Sequence, residues 1–297
     1  MPAVTTAVFP IAGLATRFLP ASKAMPKVML PIIDKPLIQY AVEEALESGI
    51  EHLVFVASEG HHIVADHFTP DEALEETLAA RSLDAELASV RATSLAPGNV
   101  TMVYQDEPLG LGHAVWCARE AVGDGPFAVM LADELILADR PQLAELRAIH
   151  ERTGGNVVGV VEVPPEDTGR YGILDPVDRD GRVLAARSVV EKPAPAEAPS
   201  RLALIGRYVL DPAVLDELGA GRTGHGGEIQ LTDAIAATTP RVPLHAWEIE
   251  GTRHDCGNKP GFLEATVAQA LSHPDLADVA RDIVARYADE LPDGPVH

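Results

Sequence analysis

Two basic side chains stand in a short stretch that follows the first apolar run of the chain. The run Ala7–Ile11 leads into the small residues Ala12 and Gly13, and Arg17 and Lys27 come next. Small residues after a strand let backbone N–H groups approach a ligand, and guanidinium and ammonium groups neutralise phosphate charge. The stretch therefore indicates a phosphate-binding loop. A surface turn with two solvated cations is an equally good interpretation, because Gly13 is its only glycine.

Two aspartates have the chemistry of magnesium ligands. Asp133 directly follows the apolar run Phe127–Ala132, and Asp255 lies late in the chain, in a predicted loop at 254–257 that ends with Gly257. Mg²⁺ prefers hard oxygen ligands and shares its shell with substrate phosphates, so a carboxylate at the end of a strand suits it. The alternative for Asp133 is a cap on the next helix. We expect the neighbouring Glu134 to point elsewhere and to be solvated.

Glu191 and Lys192 are an adjacent acid and base at the end of a later predicted strand, just before Pro193. A lysine there can hold a further phosphate, and Glu191 can accept hydrogen bonds from sugar hydroxyls. The sequence alone favours the simpler alternative of a surface ion pair. His113 begins a predicted helix and has no His or Cys partner at ligand spacing, so we expect it to be structural or to position a loop.

Several common catalytic arrangements are missing from the sequence. Cys117 and Cys256 have no spaced partner and no identifiable base, which argues against thiol catalysis, and two cysteines are too few for a disulfide framework. The sequence contains no Gly-Lys-Ser/Thr phosphate loop and no Gly-x-Gly-x-x-Gly fingerprint. These observations argue against an ATPase and against a dehydrogenase.

The composition describes an acidic chain of 297 residues, of which 46% are hydrophobic, so it can bury a sizeable core. We predict one domain over 1–297, with a helical insertion at about 71–98 and closing helices over 259–297. The 45 acidic against 23 basic residues argue against a nucleic-acid partner. No signal peptide and no apolar run near the roughly 20 residues of a membrane span are evident. We therefore expect a cytoplasmic protein without a membrane partner.

Strands and helices must bring these side chains together. Apolar runs predict strands at 7–11, 53–57, 99–104 and 127–132. A helix is predicted between the first two runs, with Asp34 as its N-cap. A short helix is predicted at 61–68, and another helix follows the loop 105–112. This alternation is typical of a parallel sheet covered on both faces, in which ligands bind beyond the carboxyl ends of the strands. We expect the first loop, the loop 105–112 and Asp133 to meet at that edge.

Eight segments, in the expected order, resemble the sugar-nucleotide pyrophosphorylases and closely the bacterial UTP–glucose-1-phosphate uridylyltransferases. The segments are Ala12–Pro20, Pro26–Pro31, Asp34–Tyr40, Gly110–Val115, Val190–Pro193, Gly206–Leu210, Gly227–Ile235 and Asp255–Lys259. Together they are far more specific than any one motif. The last two favour the uridylyltransferase branch over the thymidylyltransferase branch.

The resemblance implies an α/β, Rossmann-like nucleotidyltransferase fold, with a mixed, mostly parallel sheet flanked by helices and an inserted helical arm. It also implies Mg²⁺-dependent in-line transfer of uridylyl from UTP to glucose 1-phosphate, giving UDP-glucose and pyrophosphate, by a homo-oligomer that is a dimer or tetramer. The implied site residues are Ala12, Gly13, Gln105 and Gly110 for uracil, Arg17 and Lys27 for the UTP phosphates, Asp133 and Asp255 for Mg²⁺, Gly172, Glu191 and Gly206 for glucose, and Lys192 for the sugar phosphate. Arg17, Lys27 and Lys192 would be the catalytic cations.

Two positions depart from the family pattern. The family usually has Gly where this chain has Ala15, and Glu where it has Val28. Our hypothesis is that the fold and the glucose 1-phosphate site persist while UTP affinity or base selectivity is altered. The alternatives are a related nucleotidyltransferase with another base or sugar preference, or a ligand-binding homologue with weakened catalysis.

Overall fold

Runs of buried aliphatic residues form the strands of a central sheet. A computed structural model describes residues 2–13, 15–58 and 62–290. Its strands are β1 (Thr6–Pro10), β2 (Pro31–Ile32), β3 (Lys35–Pro36), β4 (His52–Ala57), β5 (Val100–Tyr104), β6 (Phe127–Met130), β7 (Glu134–Leu137), β8 (Asn156–Glu162), β9 (Gly172–Asp180), β10 (Val183–Glu191), β11 (Leu202–Leu210), β12 (Leu244–Glu248) and β13 (Thr252–Asp255). Its α-helices are α1 (Leu37–Glu47), α2 (Ile63–His67), α3 (Glu72–Ala80), α4 (Asp84–Thr93), α5 (Leu111–Cys117), α6 (Arg119–Val122), α7 (Gln142–Thr153), α8 (Ala213–Gly219), α9 (Leu231–Thr238), α10 (Lys259–Ser272) and α11 (Ala277–Glu290).

The central sheet has nine strands in the order β5-β4-β1-β6-β11-β8-β12-β10-β9. Strands β5, β4, β1 and β6 are parallel to one another, as are β8 and β12. Strands β11 and β10 run antiparallel to their neighbours, so all the other strands of this sheet point in one direction. The prediction of a mixed, mostly parallel sheet is confirmed.

Hydrophobic layers cover both faces of the sheet, because successive side chains of a strand point to opposite sides. Phe9 of β1 belongs to the layer that contains Ile38 of α1 and Leu146 of α7. Its neighbour Val8 belongs to the opposite layer, with Val115 of α5 and Ile235 of α9 among its members. Helices on both faces leave the strand ends free to carry loops. Within the described part of the chain, no helix is long and apolar enough to cross a membrane.

Two local predictions are wrong. Helix α1 begins at Leu37 after Pro36, and Asp34 does not cap it, because β2 and β3 pair as a small hairpin whose turn contains Asp34. His254 and Asp255, predicted in a loop, belong to β13, which pairs with β7. These strands are too short to carry a clear alternating pattern. Helices α3 and α4 lie inside the predicted insertion. His61, the predicted start of helix α2, lies outside the described residues. The single-domain prediction stays a prediction.

Candidate active site

The carboxyl ends of three parallel strands meet at one pocket. Strand β1 leads into Ala12 and Gly13, β5 leads into Gln105, and β6 is followed by Asp133. All four of these residues and Gly110 line the pocket. Pro108, Leu131 and Glu228 also contribute to its wall. The structure therefore brings together the four residues that the resemblance implies for uracil, and it adds Asp133 at the same edge.

The loop before α5 is held in place by the segment before α9. Ile229 N–H donates to the Leu109 carbonyl (2.8 Å), and Gly112 N–H donates to the Ile229 carbonyl (2.9 Å). Gly110 has φ +109°, and a Cβ at this position would lie 2.9 Å from the Ile229 oxygen. A side chain at Gly110 would therefore force the two segments apart and distort the pocket wall.

Lys27 and Asp133 form an ion pair at the edge of this pocket. The Lys27 Nζ to Asp133 Oδ2 distance is 2.6 Å, and both side chains are partly buried. They line a smaller neighbouring pocket together with Gly13, Ala15 and Val28. Asp133 does not cap a helix, because strand β7 begins at the next residue. The pair places a cation and an acidic oxygen side by side next to the pocket at the strand ends.

Asp255 approaches the same place from the end of β13. Cys256 N–H donates to the Asp133 carbonyl (2.8 Å), which joins the two segments. A Cβ on Gly257 would lie 2.8 Å from Asp255 Oδ1 and 3.2 Å from Asp133 Oδ2. Both carboxylates therefore border one small space that the missing side chain of Gly257 leaves open.

The two aspartates fit a magnesium site. Among residues 2–13, 15–58 and 62–290, no group of three or more His, Cys, Asp or Glu side chains could hold a metal by itself. Mg²⁺ commonly takes one or two carboxylates and completes its shell with water and substrate phosphates. A structural zinc site would need four nitrogen or sulfur ligands. The donor set of Asp133 and Asp255 therefore suits Mg²⁺ shared with a phosphorylated substrate.

Two arginine side chains lie close to the end of β13 and the loop that follows it. Arg17 Nη1 lies 3.5 Å from the Gly257 carbonyl oxygen, which brings the first loop to the loop after β13. Arg170 Nη2 lies 3.4 Å from Asp255 Oδ2. Nothing in the local sequence pattern around Arg170 indicates a site. Its proximity to Asp255 arises only from the packing of β13 beside the segment before β9.

The prediction of a solvated Glu134 is wrong. Its side chain is only 12% exposed, and Arg253 donates to both carboxylate oxygens at 2.6 and 2.7 Å. Burial raises the pKa of the Glu134 carboxyl, while the hydrogen bonds and charge of Arg253 oppose that rise. The antiparallel pairing of β7 with β13 sets Asp255 opposite Glu134 and Arg253 diagonally across from it. The contact of Arg253 with Glu134 therefore joins the residue after Asp133 to the strand that ends at Asp255.

The environment of Cys256 argues against thiol chemistry at this site. Burial, followed by the negative charges of Asp133, Glu134 and Asp255, raises the pKa of the thiol to about 12. The reactive form of cysteine is the thiolate. The thiol of Cys256 therefore stays protonated at neutral pH, as expected from the absence of a catalytic base in the sequence.

The residues implied for the sugar lie around the hairpin of β9 and β10. Gly172 is paired with Glu191, and a Cβ at Gly172 would lie 2.8 Å from Thr232 Oγ1 and 3.3 Å from Glu191 Oε2. Lys192 Nζ lies 3.2 Å from Glu191 Oε1, as the ion-pair alternative expects, but Glu191 is largely buried. This side chain is therefore part of a packed cluster.

Gly206 connects the sugar residues to the pocket. It has φ +70°, and a Cβ at this position would lie 2.8 Å from the Cβ of Leu131, which lines the pocket wall. Thr232 makes a second connection between the sugar residues and the pocket. It lies beside Gly172, and it follows Ile229, whose backbone holds the loop before α5. Glu228 and Thr232 are not among the implied site residues, although both lie in the recognised segment Gly227–Ile235. That segment was the signal from which they could have been found.

Comparison with known proteins agrees with this geometry. The family model described as nucleotidyl transferase matches residues 9–270. The UTP–glucose-1-phosphate uridylyltransferase of Bacillus subtilis is 46% identical over 279 residues, which cover 94% of this chain and 95% of that protein. The enzyme of the same name from Komagataeibacter xylinus is 47% identical over 253 residues, covering 85% of this chain and 89% of that protein.

Solved structures give the same result. The UTP-bound UGPase from Acinetobacter baumannii superposes with a TM-score of 0.87 at 36% identity, covering 95% of this chain and 99% of that chain. A UDP-glucose pyrophosphorylase complexed with UDP-glucose superposes with a TM-score of 0.79 at 36% identity, covering 89% of this chain and 98% of that chain. The chain therefore belongs to the nucleotidyl transferase family, among the UTP–glucose-1-phosphate uridylyltransferases.

Proposed function

We propose that this protein transfers the uridylyl group of UTP to glucose 1-phosphate, giving UDP-glucose and pyrophosphate. The observation that carries the proposal is the pocket at the ends of β1, β5 and β6. It joins a small-residue wall and the Gln105 amide to the Lys27–Asp133 ion pair. A base and its phosphates need these two kinds of surface side by side. The names of the similar proteins and the UTP and UDP-glucose in their solved structures support the choice of substrates.

The proposed roles are those that the family resemblance implies, and the positions of the side chains support them. Ala12, Gly13, Gln105 and Gly110 would receive the uracil, because they line the pocket. Arg17 and Lys27 would bind the UTP phosphates. The residues around the β9–β10 hairpin and β11 would bind glucose 1-phosphate. Gly172, Glu191 and Gly206 would hold the sugar, and Lys192 would hold its phosphate.

The reaction needs no covalent enzyme intermediate. A phosphate oxygen of glucose 1-phosphate attacks the α-phosphorus of UTP and forms the new P–O bond. The bond between the α-phosphorus and the oxygen that bridges to the β-phosphate breaks, and pyrophosphate leaves with that electron pair. Arg17, Lys27 and Lys192 would bring two anions together and neutralise their charge. Such catalysis works through positioning and electrostatic stabilisation.

Asp133 and Asp255 would hold Mg²⁺ together with the phosphates. The ion would neutralise charge on the reacting phosphoryl group and help to orient it. Lys27 is paired with Asp133 in the structure, and a bound nucleotide would offer the Lys27 ammonium group a phosphate of opposite charge. We propose that Lys27 then turns to that phosphate, which would leave the Asp133 carboxylate available to hold Mg²⁺.

The assay measures pyrophosphate release from UTP, dTTP, CTP and GTP, each with and without glucose 1-phosphate. We expect release that requires glucose 1-phosphate, is fastest with UTP and stops when EDTA removes Mg²⁺. Fast release with another nucleotide would instead support a transferase with altered base preference. Binding of UTP without any turnover would support the ligand-binding homologue.

Two further parts of the proposal concern the protein as a whole. We propose that it works as a homo-oligomer, a dimer or a tetramer, and that it acts in the cytoplasm. The family resemblance implies the oligomer, and the names of the similar enzymes support a reaction on metabolites of the cytoplasm. Light scattering on the purified protein and cell fractionation would test them separately.

A further inference from the structure

The side-chain amide of Gln105 has both of its hydrogens committed. Gln105 Nε2 lies 3.1 Å from the Gly110 carbonyl oxygen and 3.0 Å from His113 Nδ1. A carbonyl oxygen can only accept, so the amide atom that faces Gly110 must be the nitrogen. Among residues 2–13, 15–58 and 62–290, no group donates a hydrogen bond to Gln105 Oε1. Since Gln105 lines the pocket, this oxygen is free to accept from a ligand.

His113 is held in the matching tautomer. Because Nδ1 accepts from Gln105, the ring proton belongs on Nε2, which faces Cys117 Sγ at 3.8 Å. Burial raises the pKa of the Cys117 thiol, so its sulfur is neutral and can act as a weak acceptor. The ring also stacks on Trp116, with centroids 6.1 Å apart. Hydrogen bonds therefore run from Gly110 through Gln105 and His113 to Cys117.

We propose that His113 is a positioning residue that keeps Oε1 of Gln105 turned toward the nucleotide, so that the pocket selects a base with a hydrogen-bond donor at N3. This inference rests on the proposed function. Uracil carries an N–H at this ring position, whereas cytosine carries a lone pair there. With the Gln105 amide fixed, the N3 lone pair of cytosine would face an acceptor. With only the Gly110 carbonyl left to orient it, the amide would turn more easily, and its N–H groups could then satisfy cytosine instead.

Three substitutions at one position separate this role from simple packing. The side-chain oxygen in His113→Asn can take the place of Nδ1 and accept from Gln105. In His113→Gln the oxygen reaches the Nε2 position instead, and His113→Ala has no acceptor. His113 is partly exposed on α5, so a polar side chain that replaces it can contact water where it has no protein partner.

The measurement is kcat/KM for UTP and for CTP at saturating glucose 1-phosphate, with the KM for glucose 1-phosphate and the thermal midpoint as controls. The ratio of UTP to CTP should fall about five- to tenfold in His113→Gln and His113→Ala, the range expected for one lost orienting hydrogen bond. His113→Asn should keep the ratio within about twofold of the original. The KM for glucose 1-phosphate should stay unchanged in all three.

An unchanged ratio in His113→Gln, or an equal loss in His113→Asn and His113→Gln, would overturn the inference. If His113→Ala fails to fold, the Asn and Gln variants still decide, because they carry the same amide group at different distances from the backbone. If the original protein releases no pyrophosphate from UTP and glucose 1-phosphate, the proposed function fails. Calorimetric binding of UMP against CMP to the same variants then tests the positioning role by itself.

Discussion

At the scale of single residues, Lys27 and Asp133 form the ion pair on which the proposed chemistry depends. Their 2.6 Å contact lies where the pocket at the ends of β1, β5 and β6 meets its smaller neighbour, and Asp133 lines both. Each group neutralises the other before any ligand arrives. Because the pair is partly buried, removing one charge leaves the other with an incomplete counter-charge and a changed ability to bind phosphate or metal.

Asp133→Asn keeps the shape of the side chain and removes its charge. We expect kcat for pyrophosphate release to fall by at least about 100-fold, since a preorganised electrostatic contact to the reacting phosphates is lost. The control is Asp139→Asn, an exposed aspartate near the end of β7 that lines neither pocket. Substantial activity in Asp133→Asn would refute the metal role of this residue.

Ala15 adopts the left-handed conformation, with φ 47° and ψ 39°. This conformation costs a residue with a Cβ about 1–2 kcal/mol, a cost that glycine avoids. Ala15→Gly should therefore increase the free energy of unfolding in urea by up to about 1 kcal/mol, after the larger entropy of glycine in the unfolded chain is subtracted.

Ala24→Gly is the matched control for this substitution. Ala24 has φ −107° and ψ −14°, a conformation that alanine adopts without strain. The same replacement should there lower the free energy of unfolding by about 0.5–1 kcal/mol. Equal effects at both positions would show that Ala15 is not strained. The effects of Ala15 and Val28 on nucleotide selectivity stay predictions, which kinetics of Ala15→Gly and Val28→Glu with the four nucleotides would test.

At the scale of secondary-structure elements, a buried arginine joins the helix layer to the turn that carries Asp133. Arg207 of β11 is only 1% exposed, and its guanidinium donates to Glu44 of α1 at 2.8 and 3.0 Å. It also donates to the carbonyls of Leu131 (3.1 Å) and Glu134 (2.9 Å), on either side of Asp133. Several elements are thus fixed around the β6–β7 turn.

Glu44→Gln removes the charge that compensates Arg207 and keeps the side-chain shape. A buried cation without its partner costs about 3–5 kcal/mol, so we expect a loss of that size in the free energy of unfolding. Glu43→Gln is the control on the same helix, because its pair with Lys35 is exposed and should contribute less than about 1 kcal/mol. Similar losses in the two variants would contradict the assigned role of Glu44.

At the scale of the whole molecule, the closing helices leave apolar side chains uncovered in the single chain. Val279, Ile283 and Tyr287 recur at every fourth position of α11 and are between 43% and 58% exposed, and Leu263 of α10 is 65% exposed. Adjacent exposed apolar groups on a helix are typical of an interface. This surface is where we expect the proposed homo-oligomer to be sensitive to substitution.

Ile283→Lys places a charge in the middle of that surface. If the helix lies in a subunit interface, light scattering should show a shift from oligomer toward monomer at micromolar concentration. Arg281→Lys, on the same helix and paired with Asp278 at the surface, should leave the mass unchanged. An oligomer of unchanged mass in Ile283→Lys would exclude this surface from the interface.

Local sequence patterns were sufficient for the strands that build the central sheet and for the loops at their carboxyl ends. The apolar runs before Ala12, Gln105 and Asp133 predicted three parallel strands, and parallel strands bring their carboxyl ends to one edge whatever the rest of the fold is. The family resemblance then implied the roles of individual residues. The roles of Gly172, Glu191 and Lys192 depended on that resemblance, because no local pattern distinguishes them from a surface hairpin.

The sequence by itself determined the pattern of strands and helices, the residue types at the strand ends and the family, since these are local or cumulative properties of the chain. Only the tertiary structure decided which charged and polar side chains meet. Glu134 is buried against Arg253, Asp255 borders the space beside Asp133, and Gln105 is oriented by His113. The physical reason is that ion pairs and hydrogen bonds depend on distances of a few ångströms, which pairing and packing set between residues far apart in the chain.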